Sequence, residues 1–100
     1  MSFERLVGLN VVDEAGYGAY RAAMTPILKR YGGDFRYDFA IAEVLQTESE
    51  HSINRVFVVR FPDESAHDGF FSDEGYKQVR KRYFETSVSG VTIILNARCP

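Results

Sequence analysis

Apolar residues alternate with polar ones in four stretches and recur at helical spacing in two, and the two kinds of stretch interleave. From Leu6 to Val12, Val7, Leu9 and Val11 share one side while Leu6, Gly8, Asn10 and Val12 share the other, which is strand periodicity. Asp13-Glu14 then puts acid where a helix begins. Tyr17, Tyr20, Met24, Ile27, Leu28 and Tyr31 follow at steps of three and four. Gly16 and Gly18 weaken the start of this helix, and Pro26 removes a backbone donor and predicts a kink near Thr25. Lys29-Arg30 complement the negative helix end, and Gly32-Gly33 stop it.

Alternation resumes from Phe35 to Leu45, with Phe35, Tyr37, Phe39 and Ile41 on one side and Ala40, Ala42 and Val44 on the other. Gln46 to Ser52 reads as a polar turn. Ile53 to Phe61 reads as a third strand, with Phe57, Val59 and Phe61 opposite Val56 and Val58, so the two strands should form a hairpin. Pro62-Asp63-Glu64 opens a second helical region carrying Ala66, Phe70 and Phe71. Ser72-Asp73-Glu74 looks like a fresh N-cap, and Tyr76, Val79, Tyr83 and Phe84 continue the stripe. Ser89-Gly90 ends it, and Val91 to Ala97 is the last strand.

The order βαββαβ is the split βαβ, or ferredoxin-like, arrangement. The expected fold is α+β: a four-stranded antiparallel sheet with two helices on one face, residues 1–100 forming a single domain. Packing Val7, Leu9, Val11, Ala40, Ala42 and Val44 under the helices leaves Leu6, Val12, Phe35, Tyr37, Phe39, Ile41, Phe57, Val59 and Phe61 on the open face. Sheet faces exposed to water carry polar residues, and a patch this apolar is expected to be covered by a second copy, face to face. Asn10, Thr92 and Asn96 add a few polar groups to that wall, as in a small-molecule pocket.

Composition narrows the function classes. With 12 basic and 14 acidic residues the net charge is −2, which lacks the basic footprint of a nucleic-acid or anionic-membrane binder. Arg55 to Phe61 carries sheet aromatics but not the glycines of an RNA-recognition strand. Cys99 is the one cysteine, so no intrachain disulfide or cysteine-based metal site is expected. No nucleotide-binding glycine loop, leader-like segment or membrane-length apolar run is present, and a cytoplasmic protein without metal or cofactor is expected.

Asp13, Tyr17, Tyr20, Tyr31-Gly32-Gly33, Arg55 through Pro62, Ala66, Phe71-Ser72-Asp73-Glu74-Gly75-Tyr76 and Arg82 resemble the small bacterial family called domain of unknown function 1330. That family is grouped with the dimeric α/β-barrel superfamily, which includes antibiotic-biosynthesis monooxygenases. The resemblance implies a ferredoxin-like protomer and a barrel-forming dimer, and no established activity. It also makes Tyr76 and Arg82 candidates for a pocket or subunit contact. Their alternative roles are a helix anchor and a partner for an acid.

Ser72 lacks a nucleophile elbow and reads as part of a cap. His51 and His67 are expected as solvated surface residues. Lys77, Arg80, Lys81 and Arg82 complement a helix end. The ligand-pocket candidates are therefore Asn10, Tyr37, Phe39, Phe57, Asn96, Tyr76 and Arg82. The expectation is a homodimer with a small organic ligand, held between sheet and helices or within the dimer barrel. The alternative is a cofactor-independent enzyme, similar to a monooxygenase, isomerase or lyase, acting on a small aromatic or carbonyl compound.

Overall fold

The computed structural model describes residues 1–100 as β1 (Ser2–Val11), α1 (Glu14–Arg30), β2 (Asp34–Ala40), β3 (Arg55–Phe61), α2 (Glu64–Ser72), α3 (Glu74–Val79), a π-helical turn (Arg80–Phe84), α4 (Glu85–Ser87) and β4 (Val88–Cys99). The strands pair antiparallel in the order β2-β3-β1-β4. The helices cover one face, giving the ferredoxin-like α+β fold. The second helical region is broken into short pieces rather than continuous. Asp73 ends α2 and caps α3, its carboxylate accepting from the Tyr76 backbone N–H at 2.9 Å. No helix is long and apolar enough to cross a membrane.

The Tyr-Gly-Gly junction does local work. Asp13 caps the start of α1 by accepting from Gly16 N–H, and α1 runs on through Pro26 to Arg30. Gly32 then adopts φ 74°, the left-handed conformation that ends a helix at least cost. A Cβ on Gly33 would stand 2.5 Å from Leu28 Cδ1 and 3.1 Å from the Phe61 ring, so only glycine lets β2 start this close to α1. The Tyr31 hydroxyl donates to Asp73 at 2.8 Å, tying the end of α1 to the start of α3.

Which side chains face the helices differs from the sequence expectation in an informative way. Opposed residues of an antiparallel pair share a face. Val7 opposes Phe57, Arg5 opposes Val59 and Phe3 opposes Phe61, so Phe57, Val59 and Phe61 lie under the helices with Val7, Leu9 and Val11. Phe35 joins them opposite Val59. A bulge at Arg36 then reverses the parity of β2, and Tyr37 and Phe39, opposite Val58 and Val56, point to the open face. Ala40 is exposed, Ala42 and Val44 lie beyond β2, and Val12 lies past the end of β1. Phe61 and Phe70 are 0% and 1% exposed and anchor the core with Leu9 and Leu28.

Residues 41–54 form a longer connection than a hairpin turn, and it folds across one end of the open face. Ile53 packs on Gly8, the Ser49 hydroxyl bonds to Thr92 Oγ1 at 2.8 Å, and the His51 ring lies against Gly90. Asn54 fastens the return: its amide group accepts from Val11 N–H and donates to Val11 C=O, both at 2.8 Å. The uncovered part of the face carries Tyr37, Phe39, Ile94 and Leu95, all about half exposed.

On the helix side, Asp38 binds Arg55 through two hydrogen bonds of 2.8 Å and Arg21 through two of 3.2 Å, pinning α1 to β2 and β3. The Arg55 hydrogen bond, reinforced by Arg21, holds the Asp38 carboxyl below its ordinary range. A depressed carboxyl contributes stability that is present above its unfolded pKa and lost as pH falls through the folded one. Asp38→Asn is therefore expected to cost about 1–2 kcal/mol at neutral pH. It should also flatten the loss of stability below about pH 4, as read by urea denaturation across pH.

Candidate functional site

Where the helices span the sheet they do not close completely on it. A cavity of about 190 Å³ remains between the two layers. Its floor is Arg5, Val7 and Leu9 of β1, Phe57 and Val59 of β3, Phe35 of β2, and Val91 and Ile93 of β4. Its roof is Tyr17, Tyr20, Arg21 and Met24 of α1, Phe70 and Phe71 of α2, Tyr76 of α3, and Arg80 and Phe84 from the two ends of the π-helical turn. Widening the helix by one residue is a common device beside functional sites, and here the turn contributes both of its end residues to the wall. Val91 and Ile93 are 39% and 45% exposed, so the cavity reaches solvent along β4, one of the two edge strands.

The wall is aromatic with a few polar groups. Tyr20 and Tyr76 share a hydroxyl–hydroxyl hydrogen bond of 2.9 Å. Arg21 donates from Nε to the Tyr17 hydroxyl at 2.8 Å and lies over the Phe35 ring at 3.9 Å. Burial pushes the phenols of Tyr17, Tyr20 and Tyr76 upward, most strongly Tyr20. They therefore stay protonated at neutral pH and act as hydrogen-bonding groups, not bases. Burial also lowers the pKa of Arg5, whose Nε donates to Asn96 Oδ1 at 3.0 Å. No Asp, Glu, His or Lys lines the cavity, and no group of His, Cys, Asp and Glu is arranged to hold a metal ion.

The residues expected from sequence divide between the two faces. Phe57 and Tyr76 meet in the cavity wall. Asn96 stands at its edge, exposed, on Arg5. Tyr37 and Phe39 stack at 5.9 Å on the open face. Asn10 is on that face too, donating to Ser89 Oγ at 2.7 Å. Arg82 is exposed beyond the cavity, its guanidinium 5.2 Å from the Tyr83 ring.

His67, expected on the surface, is 7% exposed among Phe3, Phe61 and Phe71; Nδ1 meets Asp68 at 2.8 Å and Nε2 has no partner. The sequence does not single out Arg5, Tyr20, Arg21 or Arg80 as pocket residues: Tyr20 reads as part of the helical stripe and Arg80 as a charge complementing a helix end. Arg5 carried a readable signal. It falls in the alternation Phe3, Arg5, Val7, Leu9, Val11, a charge set into the apolar side of a strand. Starting that strand at Leu6 concealed it.

The sequence matches the family described as domain of unknown function DUF1330 over residues 6–97, and the chain belongs to that family. A comparison with curated proteins gives no match. Among solved structures, a protein of unknown function from Rhodopseudomonas palustris superposes with a TM-score of 0.83 at 16% identity, covering 99% of this chain and 82% of that one. A dimeric ferredoxin-like protein of unknown function from Jannaschia sp. CCS1 gives 0.62 at 17% identity, covering 99% and 100%. SnoaB, a cofactor-independent oxygenase from Streptomyces nogalater, gives 0.55 at 13% identity, covering 99% and 93%. At these identities the similarity establishes the fold.

Proposed function

We propose that this DUF1330 protein is a cytoplasmic, single-domain homodimer whose protomers each hold a small organic ligand in the cavity between sheet and helices. The observation that carries the reading is the cavity itself: lined by aromatic and aliphatic side chains, with a handful of polar groups converging on it, the composition of a ligand site. The volume suits one ring. A dry apolar cavity of about 150 Å³ is enough for benzene. The apolar open face and the dimeric description of the Jannaschia structure support pairing through that face.

The enzyme alternative draws on the Tyr20–Tyr76 hydroxyl pair and on the oxygenase neighbour. One phenol proton is spent in that bond, and the other can donate a hydrogen bond to a carbonyl or oxyanion. General-base steps need a group that accepts a proton near neutral pH, and the wall has none. Binding is therefore the better-supported reading, and oxygen uptake with a hydroquinone panel tests the other one.

For binding, a panel of one-ring aromatics is screened by thermal shift. A true ligand at about 100-fold over its Kd should raise the melting temperature by on the order of 10 °C. Ile93→Trp, which fills the mouth, should remove the shift. A panel without any shift would refute the reading.

A further inference from the structure

The charges on the cavity wall narrow the chemistry of its occupant. Three lining residues are arginines, and no lining residue is acidic. Arg21 is paired with Asp38, a carboxylate it shares with Arg55. Arg80 is 3.8 Å from Glu85, a partly exposed pair of little strength. Arg5 is different. It is half-buried, forms no salt bridge, and spends only Nε on a neutral partner, Asn96. Its guanidinium lies 5.0 Å from the Phe71 ring centroid, and Nη1 and Nη2 meet no acceptor on the protein.

The nearby acids are committed elsewhere. Glu4, the preceding residue on β1, points to the other face and is held by Arg36 at 2.9 Å. Asp68, whose charge reaches Arg5 from α2, is bonded to His67. A guanidinium partly withdrawn from water, with no carboxylate partner on the protein, is open to pairing with an anionic ligand.

We propose that the cavity takes a small one-ring aromatic carboxylate. The ring lies among Tyr20, Met24, Phe57 and Phe70, and the carboxylate meets the free Nη edge of Arg5. The inference rests on the reading of the cavity as a ligand site. Two parallel donors on a planar guanidinium match the two oxygens of a carboxylate, and aromatic walls match the ring. Asn96 holds the guanidinium plane by its remaining donor.

Isothermal titration with benzoate and phenylacetate, set against benzamide and benzyl alcohol, tests this. Wild-type protein should bind the carboxylates at least about tenfold more tightly than their neutral counterparts. Arg5→Met should bring that ratio close to one while benzyl alcohol still binds, and Arg5→Lys should restore part of the preference. Benzamide binding as tightly as benzoate, or an unchanged preference in Arg5→Met, would overturn the carboxylate assignment and leave the cavity reading standing. If neither the acids nor the neutral compounds bind, the cavity reading falls and this inference with it.

Discussion

The double variant Phe39→Asp/Leu95→Asp should sediment as a monomer at micromolar concentrations where the wild-type protein is expected to be a dimer. Phe39 and Leu95 are 52% and 58% exposed in the protomer, on the part of the open face that the 41–54 segment leaves bare. Full burial of one such side chain is worth about 1.5–3 kcal/mol, and roughly half of that is still available here. A two-fold interface counts each substitution twice. Four truncated contacts therefore remove roughly 3–6 kcal/mol, and four carboxylates in an apolar seam add desolvation and repulsion. The dissociation constant should rise by at least about 100-fold. Sedimentation velocity over a concentration series reads this directly. A double variant that stays dimeric would place the interface elsewhere.

Phe61→Ala should do the opposite kind of damage: little direct effect on association and a large loss in the protomer. Phe61 is fully enclosed, in contact with Phe70, Phe71 and His67 between β3 and α2. Removing a buried phenyl ring leaves a void that neighbours fill only in part, at about 3–5 kcal/mol. For a domain of this size the melting temperature should fall by roughly 12 °C or more. Urea denaturation in the monomeric background separates this from dissociation, because dimer stability varies with concentration. A loss below about 1 kcal/mol would mean that Phe61 is not in the core.

The pair also marks where sequence reading was strong and where it stopped. Element order was legible from periodicity and caps. Asp13 caps the helix it precedes, and Tyr31-Gly32-Gly33 ends α1; the second cap falls one residue later than the hydroxyl of Ser72 suggests, because Ser72 closes α2 and the Asp73 carboxylate accepts from Tyr76 N–H. Alternation groups side chains into two sets but does not say which set faces the helices. Phe57, Val59 and Phe61 were grouped correctly with one another and assigned to the wrong side.

In β2 even the grouping fails. The bulge at Arg36 separates Phe35 from Tyr37 and Phe39, and a bulge leaves no mark in a period-2 pattern. Tyr37 and Phe39 were placed on the open face, where the structure has them, whereas Phe57 ended in the cavity wall. The cavity was hidden for a further reason. Its residues come from every strand, from α1 to α3 and from the π-helical turn, and only tertiary packing assembles them. His67 misled because a histidine near a helix start has no feature in sequence that separates a solvated ring from one sealed by three phenylalanines.

A methyl-NMR titration with benzyl alcohol decides whether the cavity is the ligand site. Val7, Leu9, Met24, Val59 and Ile93 line it, whereas Leu45, Val58 and Leu95 lie outside it. The expected result is saturable shifts of the first set with the second unmoved. Saturable shifts confined to Leu45, Val58 and Leu95, or no saturable shift at all, would contradict it.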